Sequence, residues 1–234
     1  MNYTKHVIEL KRHAFRTCYS KGKMLLKEGL EFAANRMPEE YQQRQPFRVE
    51  LVANARYLHR GFYCPSLVRD YFLGNARRGR IIKRPTNRTV YSHKYTFGQD
   101  GKLQIVESVL PRNKGSKYEY LVYEENTVFG FAFDSYGALV GLSEENYING
   151  RLKDYFCASC YVHKKDGLNF GITEMLYEEY DCDEIGLYDV TLYHISPYIE
   201  QIENDEEVDT LIGLSQYRFT RNDGKIVGLY TVDA

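Results

Sequence analysis

The chain has 234 residues, of which 43% are hydrophobic and 27% charged, so it has enough apolar material for a folded core and is not predicted to be disordered. Its 22 Tyr and 12 Phe, with no Trp, favour half-buried sheet surfaces. No secretory leader pattern and no run of about 18 apolar residues occurs, so we expect neither secretion nor a membrane span. Five scattered Cys do not resemble a disulfide framework, and we expect a reducing, cytoplasmic compartment.

The net charge of −1 conceals a separation along the chain. Residues 1–97 hold 20 basic and 7 acidic side chains, a net charge of +13, whereas residues 98–234 hold 11 basic and 25 acidic side chains, a net charge of −14. Such asymmetry concerns partners and steering more than fold. The alternative is that the two parts attract each other within the protein.

The first 80 residues are predicted to be mainly helical. Val7, Leu10, Ala14 and Cys18 recur at helical spacing, Gly22 is expected to interrupt that helix, and a second apolar stripe begins at Met24. A further helix is expected after Pro65 and ends near Gly74, while residues 47–61 are ambiguous.

After Pro85 the sequence predicts successive antiparallel strands, because short aromatic and β-branched runs alternate with polar turn residues. A unit recurs there: an aromatic pair at i and i+2, a polar turn with Gly, and an apolar residue two positions later. Each unit predicts a hairpin whose Gly adopts a positive φ and whose two rings share a face, and we expect all units to present their rings to a common core. The copies are Tyr95/Phe97/Gly101/Leu103, Phe131/Phe133/Gly137/Leu139, Tyr217/Phe219/Gly224/Ile226, and a poorer one, Tyr161/His163/Gly167/Leu168.

The stretches "YTFGQDGKLQIV" and "FAFDSYGALVGL" resemble the tyrosine-aspartate repeats of rearrangement-hotspot (Rhs) proteins and teneurins. Those families close many tandem copies into a shell, which this chain is too short to form, so the resemblance implies the hairpin pattern alone. In size, expected compartment and lack of a catalytic motif, the chain also resembles immunity proteins of bacterial polymorphic toxin systems. That resemblance implies a protein that binds and neutralises a toxin.

Two acidic runs, residues 177–184 and 203–209, are interpreted either as solvated loops or as a docking surface for a basic protein such as a nuclease toxin. The docking interpretation assigns partner binding to Glu178, Glu179, Asp181, Asp183, Glu184, Glu203, Asp205, Glu206, Glu207 and Asp209. A Ca²⁺ site at Asp181, Asp183 and Glu184 lacks the spacing of an EF-hand loop.

The basic stretch "RRGRIIKRPTNR", residues 77–88, supports an alternative, in which guanidinium groups in a Gly- and Pro-containing loop follow a nucleic-acid backbone. It assigns phosphate contacts to Arg77, Arg78, Arg80, Lys83 and Arg84. The structural alternatives are a solvated linker between the helical and sheet portions, or an inward match to the acidic portion.

Cys157, Cys160 and His163 have the spacing C-x-x-C-x-x-H, but on a regular strand residues three apart face opposite sides. Buried strand cysteines are therefore favoured over zinc ligands, and over a redox pair. His6 and His13 share a helix face about 10 Å apart, too far for one metal. Use of His59, His93 or His194 as a general base requires a partner that sequence cannot locate.

These observations predict an α+β protein, with a basic, mainly helical portion over residues 1–88 and an acidic, Tyr-rich antiparallel meander over residues 89–234. We expect a non-catalytic cytoplasmic binding protein with no cofactor and no bound metal, whose partner is a basic protein. Nucleic-acid binding is the first alternative. The second is an enzyme of unfamiliar type, which requires a His and carboxylates with shifted pKa values gathered in a cleft.

Overall fold

The structure is a computed structural model that describes residues 3–35, 46–55, 59–69, 78–86, 88–109, 115–163, 169–182, 187–195, 208, 212–222 and 225–231. It has an α+β fold, as predicted: a long helix, α1 (Tyr3–Asn35), is followed, within these described ranges, by twelve strands and one 3₁₀ turn, Gly61–Tyr63. The strands are β1 (Arg48–Ala53), β2 (Arg80–Ile81), β3 (His93–Phe97), β4 (Leu103–Val109), β5 (Ser116–Glu124), β6 (Thr127–Phe133), β7 (Leu139–Ile148), β8 (Arg151–His163), β9 (Asn169–Cys182), β10 (Leu187–Ile195), β11 (Ile212–Asn222) and β12 (Lys225–Thr231).

From β3 onward, each strand is hydrogen-bonded to the next strand in sequence, which confirms the predicted meander over residues 89–234. The full order is β12-β11-β10-β9-β8-β7-β6-β5-β4-β3-β1-β2. Strand β1 pairs antiparallel with β3, and the two-residue β2 pairs with the end of β1. The first 88 residues are therefore not helical throughout, because the ambiguous segment around residue 50 forms β1.

The chain forms two compact units, unit 1 (Met1–Lys27 and Leu142–Ala234) and unit 2 (Glu28–Gly141). Both α1 and β7 contribute residues to each unit. The boundaries fall within these two elements, whereas the sequence predicted a boundary after residue 88.

Helix α1 continues through Gly22, so the predicted interruption there is wrong. The glycine is needed for close packing within unit 1, because a Cβ at this position would lie 2.5 Å from Cδ1 of Ile172 on β9. The buried residues of α1 recur every three or four positions, as one face of an amphipathic helix requires. They are Lys11, Ala14, Cys18, Gly22, Leu25, Gly29 and Phe32.

In unit 2 the two faces of the sheet have different covers. Glu119 and Tyr120 are neighbours on β5 and point to opposite faces. Phe32 of α1 packs near Tyr120, with ring centroids 5.9 Å apart, whereas Arg60 contacts Glu119. Residues 59–64, here called the cover segment, thus lie on the face opposite α1.

The described repeat units form hairpins with the predicted turn. Gly101 and Gly137 have φ values of 76° and 79°, and each donates its N–H to the carbonyl three residues earlier, of Gly98 and Asp134 respectively. These bonds are both 3.0 Å long, and both turns fit a three-residue hairpin loop that closes on a bulge. The turn chemistry of the unit is therefore confirmed for these two copies.

The expected common core is wrong. Tyr95 pairs with Val106, Val106 with Glu119, and Glu119 with Ala132, so the rings of the first unit lie on the Glu119 face. Phe131 pairs with Tyr120, so the rings of the second unit lie on the α1 face. Directly opposed residues share a face, and successive units therefore supply opposite layers of the core.

Replacing Asp134 with Ala should destabilise unit 2 more than replacing Asp100 does. Asp134 Oδ1 accepts the N–H groups of Tyr136 and Ala138, both at 2.9 Å, whereas Asp100 Oδ1 accepts one, from Lys102 at 3.0 Å. We expect losses of about 1–2 and about 0.5–1 kcal/mol in the free energy of unfolding, measured by urea denaturation. The neighbouring exposed Ser135→Ala is the control, and equal losses for the two Asp variants would contradict the bond count.

Candidate functional site

The cover segment is held on the sheet of unit 2 by Tyr95, which is fully buried. Its hydroxyl donates to the carbonyl of Arg60 and accepts the N–H of Phe62, each at 2.9 Å. The ring of Tyr63 meets the rings of Tyr95 and Phe97 edge-on, at 4.8 and 5.6 Å. These contacts fix Arg60 in the left-handed region, with φ 54°, at a cost of about 1–2 kcal/mol for a residue other than Gly.

The cover segment places two basic side chains on one carboxylate. Arg60 Nε lies 2.9 Å from Glu119 Oε1, and His59 Nε2 lies 3.0 Å from Glu119 Oε2. Arg60 and Glu119 are both buried, and the side chain of His59 is 17% exposed. One strand and a loop that lie 60 residues apart in sequence thus converge on one charged cluster.

The environment sets the charges of this cluster. Burial lowers the pKa of His59 below its ordinary value, so the imidazole is neutral near pH 7 and its Nε2–H donates to Glu119. Burial by itself would raise the pKa of Glu119, but the guanidinium of Arg60 holds it well below its usual range. At neutral pH the cluster is therefore one buried ion pair with a neutral imidazole beside it.

A second imidazole, His93 on β3, lies close to this cluster. Its ring stacks on Tyr95 with centroids 5.9 Å apart, and burial together with the nearby His59 lowers its pKa to about 4. Within the described residues, its buried Nδ1 has no hydrogen-bond partner. The ring is thus held neutral in an environment that offers its proton no acceptor.

The structure brings together His59, His93 and Glu119, which the sequence could not connect. Strand β5 carries Glu119 between two Tyr residues in an alternating pattern, and nothing in that pattern distinguishes a buried carboxylate from a solvated one. Chemically, the cluster holds no protonated imidazole near pH 7 and its carboxylate is committed to Arg60. These are the properties of a structural ion pair more than of an acid–base couple.

The predicted basic residues lie in unit 2, around β2. Arg80, Lys83 and Arg84 are exposed, and Arg88 of the same stretch is exposed as well. Arg78 is half-buried and donates from Nη1 to the carbonyl of Phe62 at 3.1 Å, and Arg77 lies outside the described residues. The structure therefore assigns Arg78 to the cover segment and leaves the remaining described cations in solvent.

The acidic residues at 177–184 differ from the expected loop, because residues 177–182 belong to β9. Glu178 is fully buried and accepts the hydroxyl of Tyr180, so it is not part of a solvated surface. Glu179 is half-buried and accepts the hydroxyl of Tyr177 at 3.3 Å, whereas Asp181 is exposed. Asp183, Glu184, Glu203, Asp205, Glu206, Glu207 and Asp209 lie outside the described residues.

Asp181 stands directly across from Asp189 of β10 in the strand register. Two carboxylates in this position repel each other. Arg218 of β11 neutralises Asp189 through two bonds of 2.7 Å, which lower the pKa of that carboxyl. In the described part of unit 1, no cation pairs with Asp181.

Some of the opposite charges on the helix and on the strands form ion pairs inside unit 1. The ammonium of Lys21 on α1 binds Glu144 of β7 and lies 3.1 Å from Asp154 of β8. The amide of Asn146 donates to the same two carboxylates, at 2.6 and 2.9 Å. A basic helix and acidic strands therefore attract each other, as the alternative interpretation of the charges proposed.

The residues of the C-x-x-C-x-x-H pattern lie on β8, where Cys157 is half-buried and Cys160 is buried. The strand is irregular between Ser159 and Cys160, and the side chain of His163 is outside the described set. Among the residues that the structure describes, no group of three or more His, Cys, Asp or Glu is arranged to hold a metal ion.

No family model, no curated protein and no solved structure matches the chain. Within the described ranges, no helix is both long and apolar enough to cross a membrane.

Replacing Arg60 with Met should strongly destabilise unit 2, because it leaves Glu119 buried without its main counter-charge. We expect a loss of about 3–5 kcal/mol in the free energy of unfolding, and partial recovery when Glu119→Leu is added in the same chain. Chemical denaturation followed by circular dichroism measures both.

The exposed pair Arg218 and Asp189 is the matched control for this cycle. Both side chains are close to half exposed, so Arg218→Met should cost less than about 1 kcal/mol despite its shorter bonds. If Arg60→Met lowered the free energy of unfolding no more than Arg218→Met does, burial would not be what makes the loss of the Arg60–Glu119 pair costly.

Proposed function

We propose that the protein binds nucleic acid through the basic segment around β2, with Arg80, Lys83 and Arg84 as phosphate contacts. The observation that carries the proposal is that these side chains are exposed and form no ion pair with any described residue. Of the three acidic candidates that the structure describes, two are less available, since Glu178 is buried and Glu179 is half-buried.

The charge of unit 2 supports this proposal. Residues 28–141 carry 17 basic and 12 acidic side chains, a net charge of +5 in a chain whose total is −1. The Arg60–Glu119 ion pair removes one charge of each sign and leaves this surplus unchanged. A surplus of positive charge on one unit attracts phosphates over several ångströms and speeds encounter.

Backbone hydrogen bonds order the chain around Arg80, Lys83 and Arg84 and do not involve these three side chains. Ile82 donates its N–H to the carbonyl of Leu51 at 2.8 Å, and Thr89 donates to Thr86 at 2.9 Å. Guanidinium groups on a fixed loop lose less entropy on binding a phosphate than those on a mobile tail. Contacts of this type position a backbone and carry no sequence information, so we expect binding with little sequence preference.

Binding should weaken steeply as salt rises, since the contacts are with phosphates. For a fluorescently labelled 20-nucleotide single strand and the matching duplex, measured by anisotropy, we expect a linear fall of log affinity with log salt. The triple variant Arg80→Gln, Lys83→Gln, Arg84→Gln should reduce the slope by about 2–3, close to 0.7–0.9 per contact.

The control variant removes the same charge from the other unit. Lys5, Arg16 and Lys23 are exposed on α1, and changing all three to Gln alters the net charge equally. This variant should keep the slope of the unmodified protein. A flat salt response, or equal losses in both triple variants, would remove the proposal.

A second candidate, capture of a basic protein by the acidic residues of unit 1, is favoured by the uncompensated Asp181. Two carboxylates face each other there, Arg218 pairs with one of them, and Asp183 and Glu184 follow in the sequence. The resemblance to bacterial immunity proteins supplies the class of partner, a basic toxin. Such a surface steers association more than it strengthens the final complex.

Charge reversal tests this second candidate. With a basic protein co-purified from native cells at low salt, Asp181→Lys combined with reversal of Glu203, Asp205, Glu206, Glu207 and Asp209 should slow association at least about tenfold. The control is Glu124→Lys with Glu125→Lys, on the exposed β5–β6 turn of unit 2. Association rates that are unchanged in surface plasmon resonance, with a folded variant, would refute the acidic surface.

A further inference from the structure

Two imidazoles lie beneath or within the cover segment, and among the described residues Glu119 is the carboxylate bonded to one of them. His93 is 7% exposed and its Nδ1 has no partner among the described residues. His59 Nε2 is bonded to Glu119, which also binds Arg60. A proton added to His93 would create a buried cation with no described acceptor.

The charged groups around these imidazoles are unevenly balanced. Glu119 and Lys117 reach them from β5, Arg60 from the cover segment, and Tyr95 from β3. At the other end of the cover segment, Tyr63 donates to Glu50 of β1, and Arg48 pairs with the same carboxylate. Protonation of both imidazoles would place three positive charges, with Lys117 nearby, against Glu119.

We propose that protonation of His93 and His59 releases the cover segment from the sheet, so that mild acid opens unit 2 locally. The interactions holding the cover segment are the bonds of Tyr95, the ring contacts of Tyr63 and the Arg60–Glu119 pair. Of these, the Arg60–Glu119 pair stabilises the closed state less once both imidazoles are protonated, because their positive charges repel Arg60 in the same buried site. Opening gives both imidazoles water, which stabilises their charged forms.

The direction follows from linkage. A buried His whose pKa is lowered contributes stability that is complete above its unfolded value of 6.5 and is lost progressively as the pH falls from that value to its folded value, about 4 for His93. Between pH 7.5 and pH 5 this single group should raise the equilibrium constant for opening by about 30-fold. His59 shifts in the same direction and adds to the change.

Local opening has two reporters in the cover segment. The N–H groups of Tyr63 and Cys64 are bonded to the carbonyls of Arg60 and Gly61, at 3.1 and 3.2 Å. These bonds form a single 3₁₀ turn, which is too short to persist in water, so both groups lose their protection when the segment leaves the sheet. Cys64 is 7% exposed, so its thiol becomes accessible to labelling at the same time. In unit 1, the buried Phe156 and Leu176 report on global unfolding.

The experiment compares hydrogen–deuterium exchange of the full chain at pH 7.5 and pH 5, corrected for the pH dependence of intrinsic exchange. Labelling of Cys64 by a disulfide reagent active in acid, located by peptide mass spectrometry, is the second measurement. The variants are His93→Phe, which keeps a ring on Tyr95 without a titrating group, and His59→Gln. The control is His194→Gln in unit 1, an exposed histidine paired with Glu174.

At pH 5 the unmodified chain should lose about 30-fold or more of its protection at residues 63 and 64 and label faster at Cys64, while Phe156 and Leu176 stay protected. His93→Phe should lose far less protection, His59→Gln an intermediate amount, and His194→Gln as much as the unmodified chain. Constant protection at pH 5, equal loss in His93→Phe, or simultaneous loss in unit 1 would each overturn the proposal. If His93→Phe fails to fold, the comparison of His59→Gln with His194→Gln decides it in the same way.

Discussion

The alternation of side chains along a strand is the constraint on which this structure depends. Because Glu119 and Tyr120 are adjacent on β5, they must point to opposite faces, and each face then requires its own cover. In unit 2, α1 supplies one cover through Phe32, and residues 59–64 supply the other through Arg60 and Tyr63. In a sheet covered on both sides, a polar side chain on either face is buried, and a charged one then requires a partner; Glu119 and Arg60 meet this requirement as an ion pair in the core.

The repeated hairpins were predictable from sequence because their signals are local. Positive φ at Gly101 and Gly137, and burial of the paired rings, follow from residues within a few positions of each turn. Which face a pair occupies depends on every intervening loop and bulge, such as the irregularity between Thr96 and Phe97. The face that each aromatic pair occupies is therefore not determined by the residues of its own unit, and the expectation of a common core was wrong for this reason.

Long-range packing also explains the other differences. The low helix propensity of Gly predicted a break at Gly22. In the structure, the missing side chain instead lets the helix pack closely on Ile172, which is more than 100 residues away in sequence. Glu178 reads as a solvated acid, yet it is buried against Tyr180 on a face that no local pattern identifies. The candidate cluster at Glu119 was equally invisible, whereas the exposed basic segment was identified from composition, since solvated charges need no long-range information.

The charge separation along the chain therefore has two components. One is internal: Lys21 binds Glu144 and Asp154 in unit 1. The other remains at the surface, in the cations around β2 and in Asp181. A count of charges along the sequence cannot show which of them are paired internally, because that depends on which carboxylates the helix and the cover segment contact in the folded chain.

The bond from Lys21 to Glu144 spans 123 residues, and this separation has a consequence for synthesis on the ribosome. Helix α1 emerges long before β7, β8 and β9, so the stripe containing Ala14, Cys18 and Leu25 is exposed while most of the chain is still being translated. Neighbouring hairpins can form as soon as each is complete, but α1 cannot bury its apolar stripe until β7, β8 and β9 have been made. Until those strands are made, the apolar stripe of α1 is thus open to chaperone binding and to aggregation.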